Sequence, residues 1–105
     1  MADVSALTEA TYYILLSLHH PQHGYGVMQD VEALSGGRVH LAAGTLYGVL
    51  NTLCEKGWII QLPMEDGSRR KEYRLTELGR RILVNEVRRL RELANNGERI
   101  LEGEL

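Results

Sequence analysis

Arg69, Arg70 and Lys71 place three cations in consecutive positions, just after the turn signal Asp66-Gly67. Long, flexible cationic ends on a turn suit the phosphate oxygens of a nucleic-acid backbone better than a fixed base edge. A second set is nearly uncharged: Thr45, Tyr47, Asn51 and Thr52. Such side chains suit base edges, and Asn can pair with adenine through two bonds. Other reactive types lead less far. His19, His20 and His23 surround Pro21. A zinc site would need neutral imidazoles converging with a third or fourth ligand, and a solvated loop is the simpler reading. Glu65-Asp66 is a carboxylate pair that turn formation explains. Cys54 is the single cysteine, which excludes an intrachain disulfide and reads as an inert, buried thiol. We find no nucleophile paired with a base, no Gly-rich phosphate loop and no metal-ligand spacing. The expectation is a protein that is not an enzyme and holds no metal or cofactor.

These residues need elements to position them. Leu7, Thr11, Ile14, Leu15 and Leu18 follow helical spacing, which predicts a first helix over about Ser5–His19, with Ser5 as N-cap. Pro21 stops it. Tyr25, Met28, Val31 and Leu34 mark a second helix from near Gly24 to Ser35, ended by Gly36-Gly37. Val39-His40-Leu41 reads as loop or a short extended segment. Leu46, Val49, Leu50 and Leu53 form the apolar face of a third helix, with Gly57 just past its end. The period then changes. Residues 58–62 and 72–75 read as two strands, joined by a long basic turn. Thr76 is the expected cap of a final helix from Glu77 to about Asn95, where Asn95-Asn96-Gly97 should end it.

Helix, helix, helix, strand, basic hairpin, helix is the order of a winged helix-turn-helix, a mainly α (α+β) fold with a two-stranded wing. A helix about 10–12 Å across fits the major groove of duplex DNA. The start of the third helix, Ala43-Gly44-Thr45, would aim free N–H groups at phosphate. Charge is distributed to match. Residues 1–37 carry −4, residues 38–91 carry +5 and residues 92–105 carry −3, so a basic centre lies between acidic ends in a chain of net charge −2. At 105 residues the chain is one compact unit: residues 1–76 as the DNA-binding part, residues 77–105 as a terminal helix and tail. No run of 18 apolar residues occurs, and no basic residue precedes Arg38. Both point away from a membrane or secretion and toward the cytoplasm.

Three stretches carry a resemblance. His23-Gly24-Tyr25-Gly26 opens the second helix. Ala43-Gly44-Thr45-Leu46-Tyr47 opens the third, and Asn51-Thr52-Leu53-Cys54-Glu55-Lys56-Gly57-Trp58-Ile59 closes it. The wing reads Gly67-Ser68-Arg69-Arg70-Lys71-Glu72-Tyr73-Arg74-Leu75-Thr76-Glu77-Leu78-Gly79. Together these resemble the PadR family of bacterial transcriptional regulators over about residues 5–94. The resemblance implies a homodimeric repressor of double-stranded DNA, with an inverted-repeat operator. It adds His23 and Tyr25 to Gly44, Thr45, Tyr47, Asn51, Thr52, Arg69, Arg70 and Lys71 as DNA-binding residues. It also implies that the last helix packs on the partner subunit, often with that partner's first helix. The apolar seam Leu83, Val87, Leu90 and Ala94, with Leu7, Ile14 and Leu18 of the first helix, would form that surface. A small-molecule effector is a further implication. Some short relatives stack flat aromatic drugs between tryptophans of the last helix. This chain departs there, because its only Trp is Trp58. Other readings of the same residues are a winged-helix module that binds protein and a small metal sensor using the histidines.

Overall fold

The computed structural model describes residues 6–64, 67 and 70–105. Ser5, Arg69 and the Glu65-Asp66 pair lie outside the described residues. Helix α1 runs Glu9–Ser17, and Thr8 caps it by accepting from the Thr11 amide at 3.1 Å. It is shorter at both ends than its apolar spacing suggests. Thr8 takes the cap three residues after Ser5, and the helix closes at Ser17.

Helix α2, Gly24–Leu34, is preceded by a two-residue strand β1, Gln22–His23. Helix α3 is Ala43–Glu55, and Gly57 behind it takes φ 76°, the left-handed conformation that glycine adopts without strain. Strands β2 (Ile59–Gln61) and β3 (Glu72–Leu75) follow. The sheet has three strands in the order β1-β3-β2, all antiparallel. The expected two-stranded wing therefore gains a third strand from the segment between α1 and α2. Gln22 pairs with Tyr73 and His23 with Glu72.

One apolar core joins these elements. Ile14, Leu15 and Leu18 of the first helix and its cap meet Val27, Val31, Leu46 and Leu50, all with no exposed area. Ile59, Tyr73 and Leu83 close it from the sheet and the last helix. Cutting Leu50 to Ala at such a site would cost about 2–5 kcal/mol. Ile14 and Leu18 thus belong to this subunit's own core and are withdrawn from the expected dimer surface, as is Leu83.

Helix α4 runs Glu77–Ile100 without a break, past Asn95-Asn96-Gly97. A glycine costs about 1 kcal/mol inside a helix, less than is needed to end one that is already propagating. Thr76 caps it, accepting from the Gly79 amide at 3.0 Å. The first half of α4 lies on the core through Gly79, Leu83 and Glu86. Glu86 is buried, with its carboxylate bidentate to Arg89 (both 2.7 Å) and accepting the Leu7 amide at 3.1 Å. The Arg89 hydrogen bonds hold this carboxyl below the usual range against the opposing effect of burial. The second half of α4 extends away from the core, with Leu93 51% and Ile100 74% exposed.

Candidate nucleic-acid interface

A cleft of about 520 Å³ opens where α2, α3 and the wing meet. His23, Gly24 and Tyr25 line it from the start of α2, Tyr47 and Asn51 from α3, and Arg70, Lys71 and Tyr73 from the wing. Local structure places each group. His23 is the last residue of β1 and the N-cap of α2; its Nδ1 accepts from the Gly26 amide at 3.1 Å. Tyr25 is 61% exposed and Tyr47 43% exposed, so neither is a core aromatic. Tyr47 and Asn51 are one helical turn apart and share a face. That face is held outward because Leu46, Leu50 and Leu53 are buried behind it.

The structure brings six of the expected residues together: His23, Tyr25, Tyr47, Asn51, Arg70 and Lys71. It separates two others. Thr45 and Thr52 lie on another flank of α3, in a groove shared with Leu7, Val49, Lys56 and Trp58. The Thr52 hydroxyl donates to the Gly48 carbonyl at 3.1 Å, so its hydrogen is used within the helix. Gly44 is exposed in the first turn of α3. Arg69 falls outside the described residues.

Several contributors have no signature in the sequence. Tyr73 is buried by packing and yet reaches the cleft. Burial pushes its phenol up from the ordinary value, so it stays protonated. Gln22 is another. Its Nε2 donates to Asp30 at 3.3 Å, and the same carboxylate oxygen accepts the Ser17 hydroxyl at 2.7 Å. Its Oε1 accepts the His23 amide at 3.1 Å. This network ties the end of α1 to β1 and so fixes the residue before the His23 cap.

Cys54 is partly buried, and burial raises its thiol above the ordinary value. A raised thiol is a poor nucleophile at neutral pH. Among the described residues no three His, Cys, Asp or Glu side chains converge as a metal site. No helix of the described residues is long and apolar enough to cross a membrane.

Known proteins share the frame that holds this cleft. A PadR regulator from Eggerthella lenta superposes with a TM-score of 0.70 at 26% identity, covering 89% of this chain and 81% of that one. A PadR regulator from hypervirulent Clostridium difficile shares the fold, with a TM-score of 0.75 at 21% identity, over 90% of this chain and 99% of that one. Uncharacterized protein X of Lysinibacillus sphaericus is 30% identical over 91 residues, 84% of this chain and 83% of its own length. A 37.1 kDa protein in a Streptomyces fradiae transposon is 35% identical over 74 residues, and the match spans only 20% of that relative. The family model for PadR-like transcriptional regulators matches residues 14–85, from the middle of α1 through the wing into α4. That stretch contains every residue lining the cleft. The chain therefore belongs to the PadR-like family of transcriptional regulators, whose members bind DNA and are not enzymes.

Proposed function

We propose that this chain is a cytoplasmic, homodimeric repressor that reads an inverted-repeat operator in double-stranded DNA. The observation that carries the reading is the cleft in which Arg70 and Lys71 of the wing stand opposite Tyr47 and Asn51 of α3. One wall offers long cations for phosphate, the other the hydroxyl of Tyr47 and the amide of Asn51, which suits a base edge. Gly44, Thr45 and Thr52 extend the α3 surface, and Arg69 extends the wing. His23 and Tyr25 serve the backbone at the start of α2.

Val87, Leu90 and Ala94 of α4, with Leu7 at the N-terminal edge, form the dimer surface in this reading. Leu90 is 38% exposed and Leu93 beside it is more so. An isologous pair built on this helix would present two α3 helices to successive major grooves about 34 Å apart. A small-molecule effector would act at the same helix, next to the Tyr12–Tyr13 pair, whose ring centroids lie 5.8 Å apart. Selection of binding sequences from random duplex by the purified protein tests the reading. The expected product is an inverted repeat with half-sites one helical turn apart. A single asymmetric half-site, or no enrichment, would refute it. A promoter–reporter assay on the selected sequence then separates repression from activation.

A further inference from the structure

Gln22 stands where α1, β1 and α2 meet, and its side-chain amide is polarised between two partners. On one side Nε2 donates to Oδ2 of Asp30 in α2 at 3.3 Å. The buried Ser17 hydroxyl, at the end of α1, donates to the same oxygen at 2.7 Å and holds that carboxylate in place. On the other side Oε1 accepts the His23 amide at 3.1 Å. A carboxylate only accepts and a backbone N–H only donates. One orientation of the Gln22 amide therefore satisfies both partners, and the reverse satisfies neither. The group lies against bare backbone in the first turn of α2. A Cβ on Gly26 would be 2.7 Å from Nε2 and closer still to the other amide atoms.

What this amide anchors is strand β1. A two-residue edge strand carries too few ladder bonds to hold its place alone. Yet β1 joins two sides of the cleft. Gln22 pairs with Tyr73 of the wing, and the next residue, His23, caps α2. Tyr25 near the start of α2 and Tyr73 on β3 both line the cleft, so the seat of β1 sets the span between them.

We infer that Gln22 is a positioning residue for DNA binding: its amide, held between Asp30 and the His23 amide, seats β1 and so sets the width of the cleft. Gln22 does not itself line the cleft. The inference rests on the DNA-binding reading and names a residue behind the interface on which the fit to duplex depends.

Three variants test it, with affinity for the selected duplex measured well below each melting temperature. Gln22→Met keeps the bulk, changes no charge and removes both polar ends. Its affinity should fall about tenfold in folded protein, a coupling of ordinary size within one network. Amide exchange across the β1–β3 pairing should quicken while that of α3 stays slow. Gln22→Glu sets a carboxylate against Asp30 and should bind at least as weakly. Adding Asp30→Asn to Gln22→Glu returns a donor from the opposite side and restores the net charge. Affinity should then recover to within about twofold of the wild type. Wild-type affinity in folded Gln22→Met, with only its melting temperature lowered, would overturn the inference, since Gln22 would then merely stabilise the fold. So would a Gln22→Glu loss that Asp30→Asn leaves uncorrected, as expected of a side chain that touches DNA directly. Failure of the wild type to bind any duplex would instead overturn the DNA-binding reading itself.

Discussion

Tyr47 occupies the space that a side chain at Gly24 would need. A Cβ built on Gly24 would lie 2.7 Å from Cζ of the Tyr47 ring and closer still to its hydroxyl. Contact between α2 and α3 at the cleft is thus made by a phenol end against bare backbone.

Gly24→Ala follows from that contact. The obstructing atoms are the far end of a half-exposed side chain, which can swing out. The variant should fold with a loss of about 1 kcal/mol or less. Its affinity for duplex DNA should nevertheless fall several-fold, because Tyr47 has left the cleft. Thermal unfolding and fluorescence anisotropy measured on one preparation would separate the two effects.

Gly79→Ala should behave in the opposite way. Its Cβ would lie 2.9 Å from the Trp58 carbonyl carbon and nearer to the oxygen, both backbone atoms that cannot swing aside. Destabilisation of about 2 kcal/mol or more is expected, from steric overlap in a packed site. Gly97→Ala, with nothing within 4 Å, should instead stabilise α4 by about 0.5–1 kcal/mol. Melting temperatures of the two variants should move in opposite directions.

In the proposed reading the wing supplies affinity and α3 supplies specificity. Replacing Arg69, Arg70 and Lys71 by Ala should weaken all duplexes alike and reduce the salt slope by about 0.9 for each lost phosphate contact. Asn51→Ala should keep the slope and relax preference at one base pair, by about 1–3 kcal/mol. Titrations of both variants on selected and random duplex at several salt concentrations would reveal a reversed assignment.

Leu90→Glu combined with Leu93→Glu tests the α4 surface. Both side chains are substantially exposed in the subunit, so the core should survive the change. Sedimentation should show a folded monomer with much reduced affinity for an inverted repeat. A dimer that persists would place the interface elsewhere.

Acid should loosen the attachment of α4. The Glu86 carboxyl titrates below its unfolded-state range, because Arg89 and the Leu7 amide favour the charged form. Its contribution is therefore complete above that range and fades as pH falls through the folded-state value. Glu86→Gln should lower the melting temperature at neutral pH and flatten its decline on acidification. Parallel acid dependence in the two proteins would show that another group is responsible.

How much of this was legible in the sequence depended on the length of each signal. The face of α3 was readable because Leu46, Leu50 and Leu53 repeat over two turns. Thr76 was readable as a cap because a hydroxyl stands just before an amphipathic run. Strand β1 was not, since two residues cannot display an alternation and the histidines around Pro21 read as a solvated loop. The roles of Ile14 and Leu18 were misassigned because apolar spacing shows that a face is buried, not what buries it. Thr45, Tyr47, Asn51 and Thr52 read as one face opposite the leucines, but that face is wide enough for two flanks, and Thr45 and Thr52 lie on the other one. The His23–Arg70 encounter joins residues 47 apart in the chain, a distance that no local pattern spans.

Thr76 is the only residue between β3 and α4. Its amide donates to the Trp58 carbonyl at 3.0 Å, its hydroxyl donates to the Gly57 carbonyl at 2.6 Å, and the same oxygen caps the helix. The joint has no slack. At 1.5 Å per residue, the 24-residue helix is a lever roughly 36 Å long, fixed directly to the wing. A rotation of this helix about Thr76 would act first on β3, the strand that begins directly after Lys71.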